Sequence, residues 1–291
     1  MDRLSIKDPT TYAEQREILA DKGCAITDAE FCESTLAKLG YYRLSAYFLP
    51  FKTKDGSYRG DVSFERILKI YEFDRKLRNI LFSAIEVAEV NLRARLSYHH
   101  SHKYGPLGYL SEDNFNQRHG HSGFLDRLNA TIRSNGSILF VRHHNSKYGG
   151  QFPFWVIVEL FTFGQLSYFY ADLKAADQRA ISQPMVKSTP QDMASWLRCC
   201  TDLRNICAHY GRLYYRVFPA IPASFPQELK KSERRLFSAI WALKHLHPDA
   251  DVWRRDVIYP LSMLIAEYEA DIDLEHIGFP LEWETALIKE G

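Results

Sequence analysis

Apolar residues return every three or four positions along most of this chain, the spacing of amphipathic helices rather than strands. The longest run is Phe64, Ile67, Leu68, Tyr71, Leu77, Leu81, Ile85, Ala88, Leu92 and Leu96. Ser63 precedes it as a capping residue and Gly105-Pro106 follows it as a stop. A helix of about 35 to 40 residues is expected between them. Upstream, Thr27 followed by Glu30 has the form of a capping box, and Gly40 suits the far end of the helix it opens. Residues 51–62 are polar around Asp55-Gly56, which reads as a turn and leaves room for one small β-hairpin.

The middle of the chain is more broken. Phe124, Leu125, Leu128 and Ile132 suggest one helix and Ile138 to His144 a second, before Gly149-Gly150 interrupts. Pro153 opens an aromatic-rich helix from Phe154 to about Thr162, and Gly164 is expected to kink or separate it from Gln165 to Leu173. Ser188-Thr189-Pro190 is a strong start signal, a cap followed by proline at the first helical position. Met193, Trp196, Leu197, Cys200, Leu203, Cys207 and Tyr210 form the apolar stripe of the helix it opens, Pro190 to Tyr210. A proline-rich link from Pro219 to Pro226 leads to two more helices, near Ser232 to His245 and Asp251 to Ala270. The fold expected is all-α.

Composition narrows the function classes. Of 291 residues 46% are hydrophobic, enough for a substantial core. The 37 basic and 36 acidic residues leave a net charge of +1, so a nucleic-acid surface must be a local patch. The five cysteines are odd in number and form no CxxC pair, which points away from a disulfide scaffold and toward a reducing cytoplasm. Met1 to Asp8 lacks the apolar core of a signal peptide, and no run of about 18 apolar residues is present. No membrane association is expected.

The candidate chemistry lies in Leu203-Arg204-Asn205-Ile206-Cys207-Ala208-His209-Tyr210. A permanent cation, an amide and a group that titrates near neutrality are the parts needed to cut a phosphodiester without a metal. Asn205 and His209 are i,i+4 neighbours and share a helix face. Arg204 and His209 lie five residues apart, so their directions diverge by roughly 140°. Two copies of the helix across a two-fold axis would bring both into one cleft. In the plainer reading, Arg204 pairs with a carboxylate and His209 is a hydrogen-bonded core residue.

Other charged groups are weighed in the same way. Arg75, Arg78, Arg93 and Arg95 are either a solvated helix face or a strip facing phosphates. Glu86 and Glu89 are flanked by apolar residues, and one is a candidate buried partner for an arginine. Tyr41-Tyr42-Arg43-Leu44-Ser45-Ala46-Tyr47 interleaves aromatics with a cation, which serves base stacking or packing on the long helix. Glu159 stands in a very apolar segment and needs a partner, for which an arginine of the motif helix is the candidate. Arg43, Arg75, Arg78 and Arg212 are the candidate RNA contacts and Glu159 the supporting carboxylate. Eleven histidines are present, but none falls in a metal-ligand pattern, and no metal or cofactor is expected.

Gly40 to Tyr47 with Pro50-Phe51, and then Tyr71-Glu72-Phe73-Asp74-Arg75-Lys76-Leu77-Arg78, resemble the bacterial abortive-infection Abi family of the AbiD/AbiF type. Pro153-Phe154-Trp155 with Glu159, Thr162 to Ser167, Leu203 to His209 with Arg212-Leu213, and Gly278-Phe279-Pro280 with Trp283 continue the likeness in order, over about residues 10 to 285. That family is placed in the HEPN superfamily. The resemblance implies a single Abi-like unit over residues 1–291, with a HEPN-like helical bundle at 63–216 and a C-terminal helical extension at 229–291. It implies Arg204, Asn205 and His209 as the active-site residues of a metal-independent endoribonuclease, assembled across a homodimer and used in phage defence. It also implies RNA as substrate, and for some members a bound small noncoding RNA. Members silenced by modification carry tyrosine two residues after the histidine; here Tyr210 follows His209 directly and Gly211 takes the next place. The rival readings are a non-catalytic RNA-binding or sensor module and a helical adaptor.

Overall fold

The computed structural model describes residues 8–59 and 62–288. The N-terminal stretch read above for a signal peptide lies outside them, except for Asp8. Helices α1 (Tyr12–Asp21), α2 (Ala29–Leu39) and α3 (Tyr41–Ser45) precede the long α4 (Phe64–Tyr104). Then come α5 (His121–Ser134), α6 (Leu139–Lys147), α7 (Phe154–Ile157), α8 (Phe163–Asp172), α9 (Ala175–Val186) and α10 (Pro190–Ala208). The chain ends with α11 (Leu236–Leu246), α12 (Ala250–Trp253), α13 (Tyr259–Glu267) and α14 (Trp283–Ile288). Among the described residues the only β-pairing is three isolated bridges, so the protein is all-α.

α4 is set where its signals stand. Ser63 accepts the N–H of Arg66, and the N–H of Gly105 at φ +79° closes the helix onto the Ser101 carbonyl. Its 41 residues bury Ile67, Ile70, Phe73, Leu77, Leu81, Leu92 and Leu96 along one stripe. α10 begins as its sequence indicates, with Thr189 capping, Asp192 closing the capping box and Pro190 at the first turn. It packs on α4, α8, α9 and α11, so the motif helix stands at the centre of the molecule.

Several expectations are corrected. Asp28, not Thr27, caps α2 by accepting the N–H of Phe31; the Thr27 hydroxyl donates instead to Glu65 at 2.6 Å. The expected hairpin reduces to one bridge, Lys52 to Tyr58, and the Tyr58 N–H goes instead to the Lys22 carbonyl at 2.6 Å. The aromatic helix after Pro153 stops at Ile157 and passes through a 3-10 turn; the break falls at Phe161, where Thr162 and Gln165 form a new capping box. Gly164 therefore lies inside α8 and marks a close approach, since a Cβ there would stand 3.4 Å from the Thr201 methyl of α10. α9 was not foreseen, and Pro184 sits inside its last turn. The helix expected at Asp251 to Ala270 is interrupted by a π-type segment, Arg254–Ile258.

Candidate functional site

The motif lies at the C-terminal end of α10. The helix stops at Ala208, earlier than its apolar stripe suggests, and His209 is its cap, with its N–H on the Asn205 carbonyl at 3.1 Å. The Tyr210 N–H returns to the Cys207 carbonyl at 3.2 Å and the Gly211 N–H to the Ile206 carbonyl at 2.8 Å. This is a Schellman closure. Its left-handed position, usually glycine, holds Tyr210 at φ +56°. Gly211 keeps this turn uncrowded, since a Cβ there would stand tightly against the Ile206 methyl and carbonyl at 3.1 and 3.2 Å. Turning the chain at this point swings Tyr210 off the apolar stripe, so it is 70% exposed.

The exit from α10 is bolted to α4 by a buried carboxylate. Asp74 accepts the Tyr47 hydroxyl at 2.7 Å, the Leu213 N–H at 3.1 Å and the Tyr214 N–H at 2.8 Å, and it pairs with Arg78. Burial pushes the Asp74 carboxyl pKa up, while Arg78 and these donors pull it down. Arg78 also donates to the Gly211 carbonyl at 3.1 Å, and Arg43 to the Tyr210 carbonyl at 3.0 Å. The segment of two elements distant in sequence, Tyr41 to Tyr47 and Asp74 to Arg78, thus fixes the backbone that follows His209.

These contacts re-sort the candidate RNA-binding arginines. Arg78 is buried and its guanidinium is taken up by Asp74 and Gly211, so it faces the fold and not a phosphate. Arg212 is half-buried and donates to the Tyr214 carbonyl, and burial lowers its pKa. Arg43 is exposed and holds the Tyr210 carbonyl. Arg75 is exposed on α4. Arg93 binds the Val158 and Phe161 carbonyls and Glu89, which spends it on the turn before α8. The Tyr41 to Tyr47 segment divides in two: Tyr47 is buried edge-on to Tyr71 at 5.5 Å, while Tyr42 is 92% exposed.

Glu159 is corrected. Its side chain is 56% exposed because the 3-10 turn rotates it outward, and its nearest cation is Arg93 of α4, at 4.0 Å, not an arginine of the motif helix. The carboxylate beside the motif is Glu89, 2.7 Å from Arg93 and 3.9 Å from the Arg204 Nε. Apolar flanks in the sequence mark Glu86 or Glu89 as a candidate buried partner for an arginine, without placing either at the motif.

Arg204 is therefore steered by a carboxylate that does not hydrogen-bond it. Among the described residues its guanidinium makes no hydrogen bond, and its buried Nε–H has no acceptor. Asn205 and His209 are exposed, and no side-chain hydrogen bond from either is present among the described residues. The plainer reading holds for Arg204's carboxylate neighbour; it does not hold for His209, which is not in the core. The exposed Asn205 and His209 side chains are left for something outside the fold.

Other histidines have structural surroundings. His99, Lys103 and Tyr104 all bind the buried Asp177, at 2.7, 2.6 and 2.8 Å. Burial alone would raise the Asp177 pKa, but these bonds outweigh it and hold it low. His100 is enclosed by Tyr104, Phe154, Phe169 and Phe115, and burial pushes its pKa down to about 4. The five cysteines are free and buried. Among the described residues no group of three His, Cys, Asp or Glu side chains is arranged to hold a metal ion, and no helix is long and apolar enough to cross a membrane.

Comparison with known proteins bears on the same residues. No curated protein and no solved structure matches the chain. A family model described as Abi-like protein matches residues 34–215, a span that takes in α3, α4 and the whole of α10 with its Asp74 anchorage. Membership of that family suggests a part in abortive infection, the defence of bacteria against phage. With more than half of its length inside the match, this chain belongs to the Abi-like protein family.

Proposed function

We propose that this protein is an endoribonuclease of phage defence that cuts RNA through its own 2′-hydroxyl, with Arg204, Asn205 and His209 as the working side chains. One observation carries the reading. The backbone around the motif is fixed by Asp74, Arg78 and Arg43, while the Asn205 and His209 side chains are exposed and, among the described residues, make no hydrogen bond to the fold. A site with a rigid frame and uncommitted polar groups is prepared for a ligand.

In the proposed step the ribose 2′-OH attacks the adjacent phosphorus and its proton passes to a general base. The P–O5′ bond breaks and the leaving oxygen takes a proton from a general acid. His209 supplies one of these two roles, Arg204 stabilises the charge on the phosphorane, and Asn205 orients the imidazole or the phosphate. The products are a 2′,3′-cyclic phosphate and a 5′-OH. Arg204 and His209 point about 140° apart on one helix, so a second copy completes the cleft. α4 carries the exposed apolar residues Phe82, Val87 and Val90, which such a copy would cover in part.

The test is RNA incubated with purified protein in EDTA. Fragments ending in cyclic phosphate are expected, while DNA and RNA methylated at the 2′-oxygen stay whole. Cleavage that requires added Mg²⁺, or that survives His209→Ala unchanged, overturns the mechanism.

A further inference from the structure

A cleft of about 740 Å³ opens between α8 and α10, walled by Ser167 and Tyr168 on one side and Ser195, Arg198, Thr201 and Asp202 on the other. Its third wall, residues 219–221, is held in place from α10. The Ala223 N–H donates to the Ser195 hydroxyl at 2.8 Å, and the Trp196 indole N–H donates to the Ala223 carbonyl at 2.9 Å. The cleft is thus built on a fixed frame.

Two of its residues are held by no hydrogen bond among the described residues. Tyr168 is 74% exposed and, among the described residues, has neither a hydrogen bond nor a ring neighbour. Arg198 is exposed and, among the described residues, has no hydrogen bond and no carboxylate within ion-pair distance. An exposed aromatic face beside an unspent guanidinium is the pairing that takes a base and a phosphate of a single strand.

Helix geometry connects this cleft to the motif. Arg198 and Asn205 are seven residues apart and differ by about 20° in direction; His209 lies about 40° from Asn205 on the same side. From Arg198 to His209 the helix rises about 16 Å. A strand lying along this face of α10 passes from the cleft to the motif without crossing the helix.

We propose that the α8–α10 cleft is a subsite for single-stranded RNA, with Tyr168 stacking on a base and Arg198 holding a phosphate of the strand that enters the motif. This rests on the nuclease reading for the direction of the strand, and the binding itself does not depend on cleavage. A paired base cannot present its face to Tyr168, so duplex RNA is the poorer ligand. Asp202, one turn beyond Arg198 on the same wall, interacts with its charge and competes with phosphate for it.

The probe is a mixed-sequence single-stranded RNA, bound to the full chain carrying His209→Ala so that it is not consumed. Tyr168→Ala is expected to weaken binding by about 5- to 150-fold, and Tyr168→Phe to keep it. Arg198→Ala weakens it and lowers the salt slope of the binding constant by about 0.7. Asp202→Asn tightens it. Tyr259→Ala, at another exposed tyrosine, leaves it unchanged. Equal affinity in Tyr168→Ala, or an equal loss in Tyr259→Ala, overturns the subsite. If the chain with His209 intact cuts RNA while Tyr168→Ala changes neither affinity nor KM, the subsite fails and the nuclease stands. If it does not cut RNA but the binding losses appear, the nuclease reading fails and the subsite stands.

Discussion

Asp74 accepts the backbone N–H of Tyr214 at 2.8 Å, across 140 residues of chain. This contact makes the long helix a support for the turn that carries His209. Removing the carboxylate strands the Arg78 cation and two backbone N–H groups in the core. Asp74→Ala is expected to cost about 3–5 kcal/mol, the range for breaking one side of a buried pair. Asp74→Leu with Arg78→Met should recover part of that loss, since no charge is then left unpaired. Urea unfolding of the single and double variants measures both; a double variant no better than Asp74→Ala would show that the pair is not coupled.

For the motif itself, chemistry should fail while the fold survives, because the side chains of Arg204 and His209 make no hydrogen bond among the described residues. His209→Ala should lower cleavage by about 10²–10⁴-fold, the usual contribution of general acid–base catalysis. Arg204→Lys should recover little, because an ammonium lacks the planar fork that meets two phosphate oxygens. Neither change should alter the helical circular dichroism spectrum. If the cleft is shared between copies, mixing Arg204→Ala chains with His209→Ala chains restores part of the activity that each lacks alone. Activity that stays absent in the mixed dimer argues against a shared cleft.

Much of the fold was legible because its signals are local. Ser63, Gly105, Thr189 and Pro190 act on neighbouring backbone, so α4 and α10 begin and end close to where the sequence places them. What failed was what depends on partners far along the chain. Thr27 looked like a cap, yet Asp28 one residue later competes better and Thr27 turns to Glu65. Tyr210 fits the apolar period of α10, but a period cannot show that the helix has already closed at Ala208. Arg78 and Arg75 look alike in sequence; only the position of Asp74 one turn before Arg78, together with the approach of residues 211–214, buries one and exposes the other. Glu159's apolar neighbours suggest a partner on the motif helix, whereas a 3-10 turn carries it outward to Arg93 of α4.

Stability should fall in mild acid. His100 is fully enclosed among aromatic rings, its ring nitrogens have no well-formed hydrogen bond among the described residues, and burial pushes its pKa from 6.5 to about 4 against a small opposing pull from the Gly108 backbone. Burial likewise brings His245 down to about 4. The folded-state pKa lies below the unfolded one, so between about pH 6.5 and 4 the unfolded chain takes up a proton that the folded chain refuses. Stability is whole above that window and is lost as pH falls through it. A shift of this size corresponds to about 3 kcal/mol for His100 at the acid end. His100→Leu should flatten the decline of unfolding free energy between pH 7 and pH 4.5. An unchanged slope would place the acid sensitivity elsewhere.

Tyr210 at φ +56° is the position where stability and activity should separate. A non-glycine residue in the left-handed region costs roughly 1–2 kcal/mol, and glycine carries no such steric cost. Part of the gain is offset because glycine leaves the unfolded chain more freedom, so Tyr210→Gly should stabilise the protein by about 0.5–1 kcal/mol. The Schellman bonds from residues 210 and 211 need no side chain and should persist, as should the Arg43 contact to the residue 210 carbonyl. What disappears is a ring 70% exposed next to His209, with nothing in the core resting on it. A residue kept in a strained conformation with its side chain facing solvent beside the motif is placed for contact with what the motif binds. Tyr210→Gly should therefore melt higher and cut RNA more slowly, while Tyr210→Phe should keep both properties close to the parent. A glycine variant that is both more stable and fully active would leave the strain without a functional counterpart.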